Sequence, residues 1–136
     1  MQELKDRIVK EGKVLPGNII KVDGFLNHRI DTELMDHIAE EFGKHFNMDE
    51  VTVILTAEAS GIALSAIVAQ HFHKPMIFAK KAKSDNIEGG LYQSDIFSYT
   101  YKKKVTLLVS KEWLRSDDKV LVIDDFMANG EAMCGL

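Results

Sequence analysis

The sequence predicts an α/β fold in which a mostly parallel sheet is flanked by helices. Three short apolar runs, residues 51–55, 76–79 and 120–123, are typical of buried strands. The segments between them have helical spacing or turn residues, and strands that alternate with helices form parallel sheets with right-handed crossovers. The chain has 136 residues, 46% of them hydrophobic and 28% charged. We therefore expect a single domain over residues 1–136 with a sizeable core.

The N-terminal part predicts two helices with an extended segment between them. The first helix covers residues 3–11, and a turn follows at Pro16 and Gly17. Residues 18–26 mix apolar and polar side chains without strict alternation, which favours an irregular strand or a covering segment. Asp31 is a candidate N-cap for the second helix. Its apolar stripe at three- and four-residue steps predicts core packing for Leu34, Met35, Ile38, Ala39 and Phe42.

The second half adds one more helix, a long unusual segment and a fourth strand. The helix covers residues 62–72, and the strand covers residues 105–109. Residues 80–104 are rich in lysine, contain two adjacent glycines and lack a clear core pattern. A segment of this length is often a lid, so we expect residues 83–103 to be mobile without ligand, with a hairpin as one possible form.

Composition and charge exclude several classes of function. The formal net charge of −4 argues against general nucleic-acid binding. Cys134 is the only cysteine, so no internal disulfide can form. His71 and His73 lack the neighbours that would complete a metal site. The sequence has no signal peptide and no apolar stretch of transmembrane length. We expect a soluble, cytoplasmic protein that does not bind membranes.

An acidic pair follows the last predicted strand. Asp124 and Asp125 come directly after residues 120–123, and a turn of small residues leads to a helix start at Glu131. Ligands of open α/β sheets bind beyond the carboxyl ends of the strands. Backbone N–H groups in such turns bind phosphate, while carboxylates accept hydrogen bonds from sugar hydroxyls or act through Mg²⁺. The alternative is a solvated acidic turn at the end of a buried strand.

The acidic turn resembles the phosphoribosyl pyrophosphate (PRPP) motif of type I phosphoribosyltransferases, in the variant of the bacterial xanthine phosphoribosyltransferases. Asn129 and Ala132 stand where that motif usually has threonines. The similarity also covers residues 22–28 and 58–63 and extends over nearly the whole chain. It implies the type I phosphoribosyltransferase fold, a mostly parallel sheet flanked by helices, with a flexible hood and an N-terminal segment that covers the base.

The resemblance also implies roles for individual residues. Asp124, Asp125 and Lys81 would be the catalytic residues, with the aspartates on the ribose hydroxyls and the lysine on the pyrophosphate. The sequence does not decide between Lys81 and its neighbours Lys80 and Lys83. The 5′-phosphate would be bound by Ala128, Asn129, Gly130, Glu131 and Ala132. The pyrophosphate loop would be Glu58, Ala59, Ser60 and Gly61. The residues that contact xanthine would be Ile20 and Asn27.

The activity implied by the resemblance is transfer of the phosphoribosyl group from PRPP to N9 of xanthine. The products would be xanthosine 5′-monophosphate (XMP) and pyrophosphate, in purine salvage. Mg²⁺ would arrive with PRPP without direct protein ligands, and the enzyme would be a homodimer. Guanine and hypoxanthine share the 6-oxo edge of xanthine and remain open as substrates. The alternative function is a purine-repressor-like transcriptional regulator with PRPP as effector, although such repressors carry an extra N-terminal DNA-binding domain.

The end of the sequence leads to a further expectation. Residues 133–136 follow shortly after the predicted phosphate turn. The resembled family continues there with the rest of a helix, further strands and a lysine that contacts the base. We therefore expect a C-terminally truncated domain, with sheet surface exposed beside the last strand and a base pocket open on one side.

Overall fold

A parallel three-stranded sheet forms the centre of the protein, as the sequence predicts. The computed structural model describes residues 1–17, 19–81, 90–98 and 103–136. Four helices and seven strands lie within these ranges. The helices are α1 (Gln2–Glu11), α2 (Thr32–His45), α3 (Gly61–His71) and α4 (Glu131–Gly135). The strands are β1 (Lys13–Leu15), β2 (Ile19–Lys21), β3 (Val53–Ala57), β4 (Met76–Ala79), β5 (Leu91–Ser98), β6 (Lys103–Ser110) and β7 (Val120–Val122).

The strand β3 occupies the middle of the parallel sheet, between β4 and β7. All five of its residues are buried, because each face of the strand supports a separate core. Ile54 belongs to a core with the helices α2 and α3, whereas Leu55 and Ala57 belong to a core with β5 and β6. Alternation of side chains along a strand produces this division. The sequence places this strand two residues too early, at residues 51–55.

The strand β7 is less buried than the sequence predicts. Leu121 and Ile123 are buried, but the side chain of Val120 is 38% exposed. Within the described residues, β7 pairs only with β3, so one of its edges has no described strand beside it. The expectation of a strand buried on both faces is therefore wrong for Val120, although the strand itself and its position are confirmed.

The fourth predicted strand does not join the parallel sheet. The strand β6 pairs antiparallel with β5 over eight residue pairs. Lys80 connects this hairpin to β4 through two backbone hydrogen bonds with Leu108, of 2.9 and 2.8 Å. Residues 80–104 lack a clear core pattern in the sequence, yet Ile96 of β5 is buried with Leu107 in the second core. The remaining residues of the predicted hood, 82–89 and 99–102, lie outside the described residues.

The N-terminal segment is folded more tightly than the sequence indicates. The strands β1 and β2 form a small antiparallel hairpin around the turn at Pro16 and Gly17. Residues 23–29 then form turns instead of an extended strand, and Phe25 within them is 1% exposed. Extended structure is therefore confirmed only for β2.

The helix α2 begins at its predicted N-cap. A side-chain oxygen of Asp31 accepts a hydrogen bond from the backbone N–H of Leu34 at 3.2 Å. The other oxygen accepts from the Arg7 guanidinium at 2.8 Å, which joins α1 to the start of α2. Leu34, Met35, Ile38 and Ala39 are buried as predicted. No helix among the described residues is long and apolar enough to cross a membrane.

Candidate active site

A cavity of about 530 Å³ lies where the strands β3 and β7 end. The turn between β3 and α3 and the turns after β7 meet there, since parallel strands place their carboxyl ends at one edge of a sheet. Most of the residues that the sequence selects line this cavity. They are Ile20, Asn27, Glu58, Ser60, Lys81, Asp124, Asp125, Ala128, Asn129, Gly130, Glu131 and Ala132. Ala59 and Gly61 do not line it.

The carboxylate of Asp125 connects three separate segments of the chain. Its Oδ2 accepts a hydrogen bond from Nδ2 of Asn27 at 2.9 Å. Its Oδ1 accepts from Oγ of Ser60 at 2.8 Å. The N-terminal segment, the turn after β3 and the turn after β7 therefore meet at one side chain. The sequence does not reveal this connection, because the three residues are far apart in the chain.

Asp124 has an altered acidity. Burial raises the pKa of its carboxyl from 3.8 to about 6, and the hydrogen bond and negative charge of Asp125 act in the same direction. Two smaller effects lower the pKa, namely the backbone N–H of Asp125, which donates to Oδ1 of Asp124 at 3.0 Å, and the charge of Lys81. The first aspartate therefore gains and loses a proton at a higher pH than an exposed carboxyl does.

Gly61 lies directly beneath the acidic pair. A Cβ atom at this position would lie 2.3 Å from Oγ1 of Thr56 and 2.8 Å from Oδ1 of Asp124. Any side chain would have to displace one of these groups, so glycine is required here for close approach. Gly61 therefore supports the site without lining the cavity.

The turn between β3 and α3 contacts the end of β4. The backbone N–H of Glu58 donates to the carbonyl of Ala79 at 3.0 Å, and the backbone N–H of Lys81 donates to a carboxylate oxygen of Glu58. The peptide bond between Glu58 and Ala59 is cis. These contacts place Lys81 at the cavity. Of its two alternatives, Lys80 pairs through its backbone with Leu108, and Lys83 lies outside the described residues.

The turn after the acidic pair exposes backbone groups to the cavity. Gly130 has φ of +82°, a left-handed conformation that favours glycine. The side-chain oxygen of Asn129 accepts a hydrogen bond from the backbone N–H of Glu131 at 3.3 Å. The amide nitrogen of Asn129 remains available as a donor. Small residues and a glycine thus allow a ligand to approach the backbone of residues 128–132.

The charge around the cavity is mainly negative. Among the described residues that line it, the carboxyl groups belong to Glu58, Asp124, Asp125 and Glu131, and the one cationic side chain belongs to Lys81. No group of three or more His, Cys, Asp or Glu side chains within the described part of the chain could hold a metal ion. A cation that accompanied a phosphorylated ligand would reduce its repulsion from these carboxyl groups.

Several apolar residues at the cavity were missed by the sequence reasoning. Phe97 is 49% exposed and comes from β5, and Phe126 and Met127, which follow the acidic pair, are 46% and 72% exposed. Together with Ile20 they offer an apolar surface to a flat ligand. Phe97 could have been found from alternation along β5, because its neighbour Ile96 is buried on the opposite face. Phe126 and Met127 lie in the motif that carries the resemblance, but the resemblance assigned them no contact with a ligand.

Comparison with known proteins gives a consistent result. The model of the phosphoribosyl transferase domain family matches residues 25–136. A protein from Lachnoclostridium phytofermentans named xanthine phosphoribosyltransferase is 54% identical over 136 residues, which is 100% of this chain and 70% of that protein. Proteins of the same name from Ligilactobacillus salivarius and Clostridium novyi are 51% and 48% identical, with 71% and 72% of their lengths covered.

Solved structures agree with the fold. The crystal structure of APRTase from Giardia lamblia complexed with 9-deazaadenine superposes with a TM-score of 0.77 at 23% identity, over 97% of this chain and 72% of that one. The adenine phosphoribosyltransferase of Saccharomyces cerevisiae gives a TM-score of 0.75 at 14% identity, over 99% and 78% of the two chains. At these identities the likeness shows the fold alone.

Proposed function

The chain belongs to the phosphoribosyl transferase domain family, and from this membership we propose that it transfers the phosphoribosyl group of PRPP to N9 of xanthine. The products are XMP and pyrophosphate, in purine salvage. The observation that carries the proposal is the convergence of the selected residues on one cavity of about 530 Å³, in a chain about half identical to proteins named xanthine phosphoribosyltransferase. The regulator alternative has no support from these relatives.

The ribose and phosphates of PRPP are assigned to the acidic turn and its neighbours. Asp124 and Asp125 accept hydrogen bonds from the ribose hydroxyls, since a carboxylate offers several acceptor sites. Residues 128–132 bind the 5′-phosphate with backbone N–H groups. Residues 58–61 contact the pyrophosphate, and Lys81 neutralises part of its charge.

Mg²⁺ is proposed to arrive with PRPP. When bound, it neutralises charge on the leaving pyrophosphate. The residues fit this role, because the described lining has four carboxyl groups and one lysine and would repel an uncompensated pyrophosphate. A cation that is coordinated mainly by substrate oxygens needs no cage of protein ligands.

The base is assigned to the space beside the N-terminal hairpin. Ile20, Phe126 and Phe97 provide apolar contact for the faces of a purine, and Asn27 provides hydrogen bonding at its edge. In the reaction, N9 of xanthine forms a bond to C1′ of the ribose as the bond from C1′ to the pyrophosphate oxygen breaks. The bonding electron pair leaves with pyrophosphate, and the base releases its imidazole proton. The protein contributes positioning and electrostatic stabilisation of the charge that develops.

The assembly and location of the protein complete the proposal. We place it in the cytoplasm as a homodimer. Trp113 and Phe78, with 67% and 37% of their side chains exposed, lie together at a groove beside β4 and β6, and a second chain could cover them. Sedimentation equilibrium would detect the dimer, and a monomer at micromolar concentration would contradict this part of the proposal.

The activity is tested by mixing the chain with PRPP, MgCl₂ and xanthine and measuring XMP and pyrophosphate. Guanine, hypoxanthine and adenine are tested in parallel, and omission of MgCl₂ should remove turnover. Asp124→Asn/Asp125→Asn is expected to lose PRPP binding while it keeps its circular dichroism spectrum. The control is Asp117→Asn, an exposed position outside the cavity. A double variant with normal turnover would refute the assignment of the aspartates, and a wild-type chain that makes no XMP would refute the function.

A further inference from the structure

The hydrogen bonds of Asp125 connect the ribose side of the cavity to its base side. Asn27, which is assigned to the base, donates to Oδ2, and Ser60, which belongs to the turn after β3, donates to Oδ1. Each carboxylate oxygen has further acceptor capacity, so Asp125 can hold both partners and still receive a ribose hydroxyl. The aspartate is therefore connected to the base even though it is assigned to the sugar.

The bond to Asp125 determines which way the amide of Asn27 faces. A carboxylate oxygen can only accept, so the atom of Asn27 that meets it must be the NH₂ nitrogen. The amide carbonyl diverges from the same carbon and is turned away from Asp125. Asn27 is half-buried and lines the cavity, and no hydrogen bond to its carbonyl oxygen comes from the described residues. An acceptor that lines the cavity and has no donor from the described residues can accept a hydrogen bond from a ligand.

We propose, on the basis of the function proposed above, that Asp125 is also a positioning residue for the base. Its carboxylate fixes the Asn27 amide with the carbonyl oxygen towards the ligand, and this oxygen accepts a hydrogen bond from a ring N–H of the purine. Ser60 takes part by holding the second oxygen of Asp125. The side chain of Asn27 has both a donor and an acceptor. In the structure, the NH₂ group of Asn27 donates to Asp125, and the carbonyl oxygen of Asn27 is left for the base.

The fixed direction of the Asn27 amide affects which purine base the cavity favours. The six-membered ring of xanthine carries N–H groups at N1 and N3, each of which can donate to a carbonyl oxygen. The ring nitrogens at the same positions in adenine carry no hydrogen and can only accept. A fixed carbonyl at Asn27 therefore favours an oxopurine over adenine, because two acceptors that face each other leave both unpaired. If the amide could rotate, its NH₂ group would remove this discrimination.

The test exchanges the two polar partners. Asn27→Asp places two carboxylates next to each other and breaks the bond. Asn27→Asp with Asp125→Asn restores it in the opposite direction, since the new amide at 125 donates to the new carboxylate at 27. The carboxylate at 27 still accepts from the base. Asp125→Asn alone and Asn47→Asp, the same charge change at an exposed position outside the cavity, serve as controls. The KM values for xanthine and PRPP are measured separately.

The expected result is a different response of the two substrates. Asn27→Asp should raise the KM for xanthine about 10-fold or more, and the exchanged pair should bring it back close to the value of Asp125→Asn. The KM for PRPP should stay raised in the exchanged pair, since the ribose has lost its carboxylate. An exchanged pair whose KM for xanthine is as high as that of Asn27→Asp would overturn the proposal. So would recovery of both KM values together.

A second variant covers the case in which the exchanged pair does not fold. Asn27→Leu has nearly the same shape and no charge, and the inhibition constants of xanthine and adenine are compared on it and on the wild type. The preference for xanthine should fall about 10-fold or more, and an unchanged preference would overturn the proposal. A wild-type chain that forms no XMP would refute the proposed function itself. An active wild type with an unchanged preference in Asn27→Leu would refute only the role of the amide.

Discussion

Gly61→Ala provides a direct test of how closely the two turns of the site are packed. The added Cβ would lie 2.3 Å from Oγ1 of Thr56 and 2.8 Å from Oδ1 of Asp124. Thr56 is completely buried and cannot easily move, so we expect the carboxylate of Asp124 or the start of α3 to shift. The substitution therefore disturbs the site without removing any chemical group.

The size of the effect follows from two opposing terms. Overpacking of this kind costs about 1–3 kcal/mol, while replacing glycine by alanine in a helix contributes about 0.5–1 kcal/mol of stability. We expect a net loss of about 1–2 kcal/mol in the free energy of unfolding. A displacement of the carboxylate by about 1 Å can lower the rate about 100-fold. The loss should appear in kcat/KM for PRPP.

The assay combines urea unfolding with the rate of XMP formation, and Gly43→Ala is the matched control. Gly43 is also a helical glycine, but its added Cβ would meet only the end of the Phe72 ring, at 2.7 Å, and this ring can shift. Gly43→Ala should therefore keep wild-type activity and lose little stability. If Gly61→Ala destabilises the protein but keeps wild-type kcat/KM for PRPP, the packing of Gly61 does not position Asp124 and the reasoning is wrong.

Three further predictions concern single side chains. The folded state raises the pKa of Asp124 from 3.8 to about 6, so this group binds more protons than in the unfolded state between these values, and its contribution to the free energy of unfolding should fall as the pH rises through this window. Asp124→Asn should remove this contribution, so the difference in free energy of unfolding between wild type and variant should change with pH in urea titrations. A difference that does not depend on pH would contradict the prediction. Lys81→Gln should raise the KM for PRPP about 10- to 100-fold, with little change in the KM for xanthine. The control Lys111→Gln, at a position outside the cavity, should alter neither KM value. Equal effects at both positions would contradict the role of Lys81. Asp31→Ala should lower the thermal midpoint, because it removes the N-cap of α2 and the contact with Arg7. Asp31→Asn should recover the part of the stability that comes from the cap. Equal thermal midpoints for the two variants would show that the cap contributes little.

The sequence predicted the parts of the fold that depend on local pattern. The apolar stripe of α2, its cap at Asp31 and the strand β4 were placed correctly, because periodicity and capping are properties of neighbouring residues. The sequence-based prediction failed where the position of a segment depends on a partner that is distant in the sequence. The strand β6 pairs with β5 instead of joining the parallel sheet, and nothing within residues 105–109 indicates which neighbour the strand will take.

The same division applies to the site. The acidic pair and the small-residue turn were visible because their spacing is local. The hydrogen bonds from Asn27 and Ser60 to Asp125 join residues 98 and 65 positions apart in the chain, and no single-sequence pattern encodes them. The resemblance supplied Asn27 as a contact for the base, but the direction of its amide became apparent only with its partner in view.

Features that reduce stability occur together at the edge of the sheet that bears the cavity. Burial and the adjacent carboxylate of Asp125 raise the pKa of Asp124, and Oγ1 of the buried Thr56 has no hydrogen-bond partner within the described structure. Gly61 is pressed against both Thr56 and Asp124. The first two features reduce stability, and Gly61 leaves the room that the carboxylate of Asp124 occupies beside Thr56. Local rules are commonly broken at functional sites, so their joint violation around Asp124 supports the same location for the chemistry independently of any resemblance.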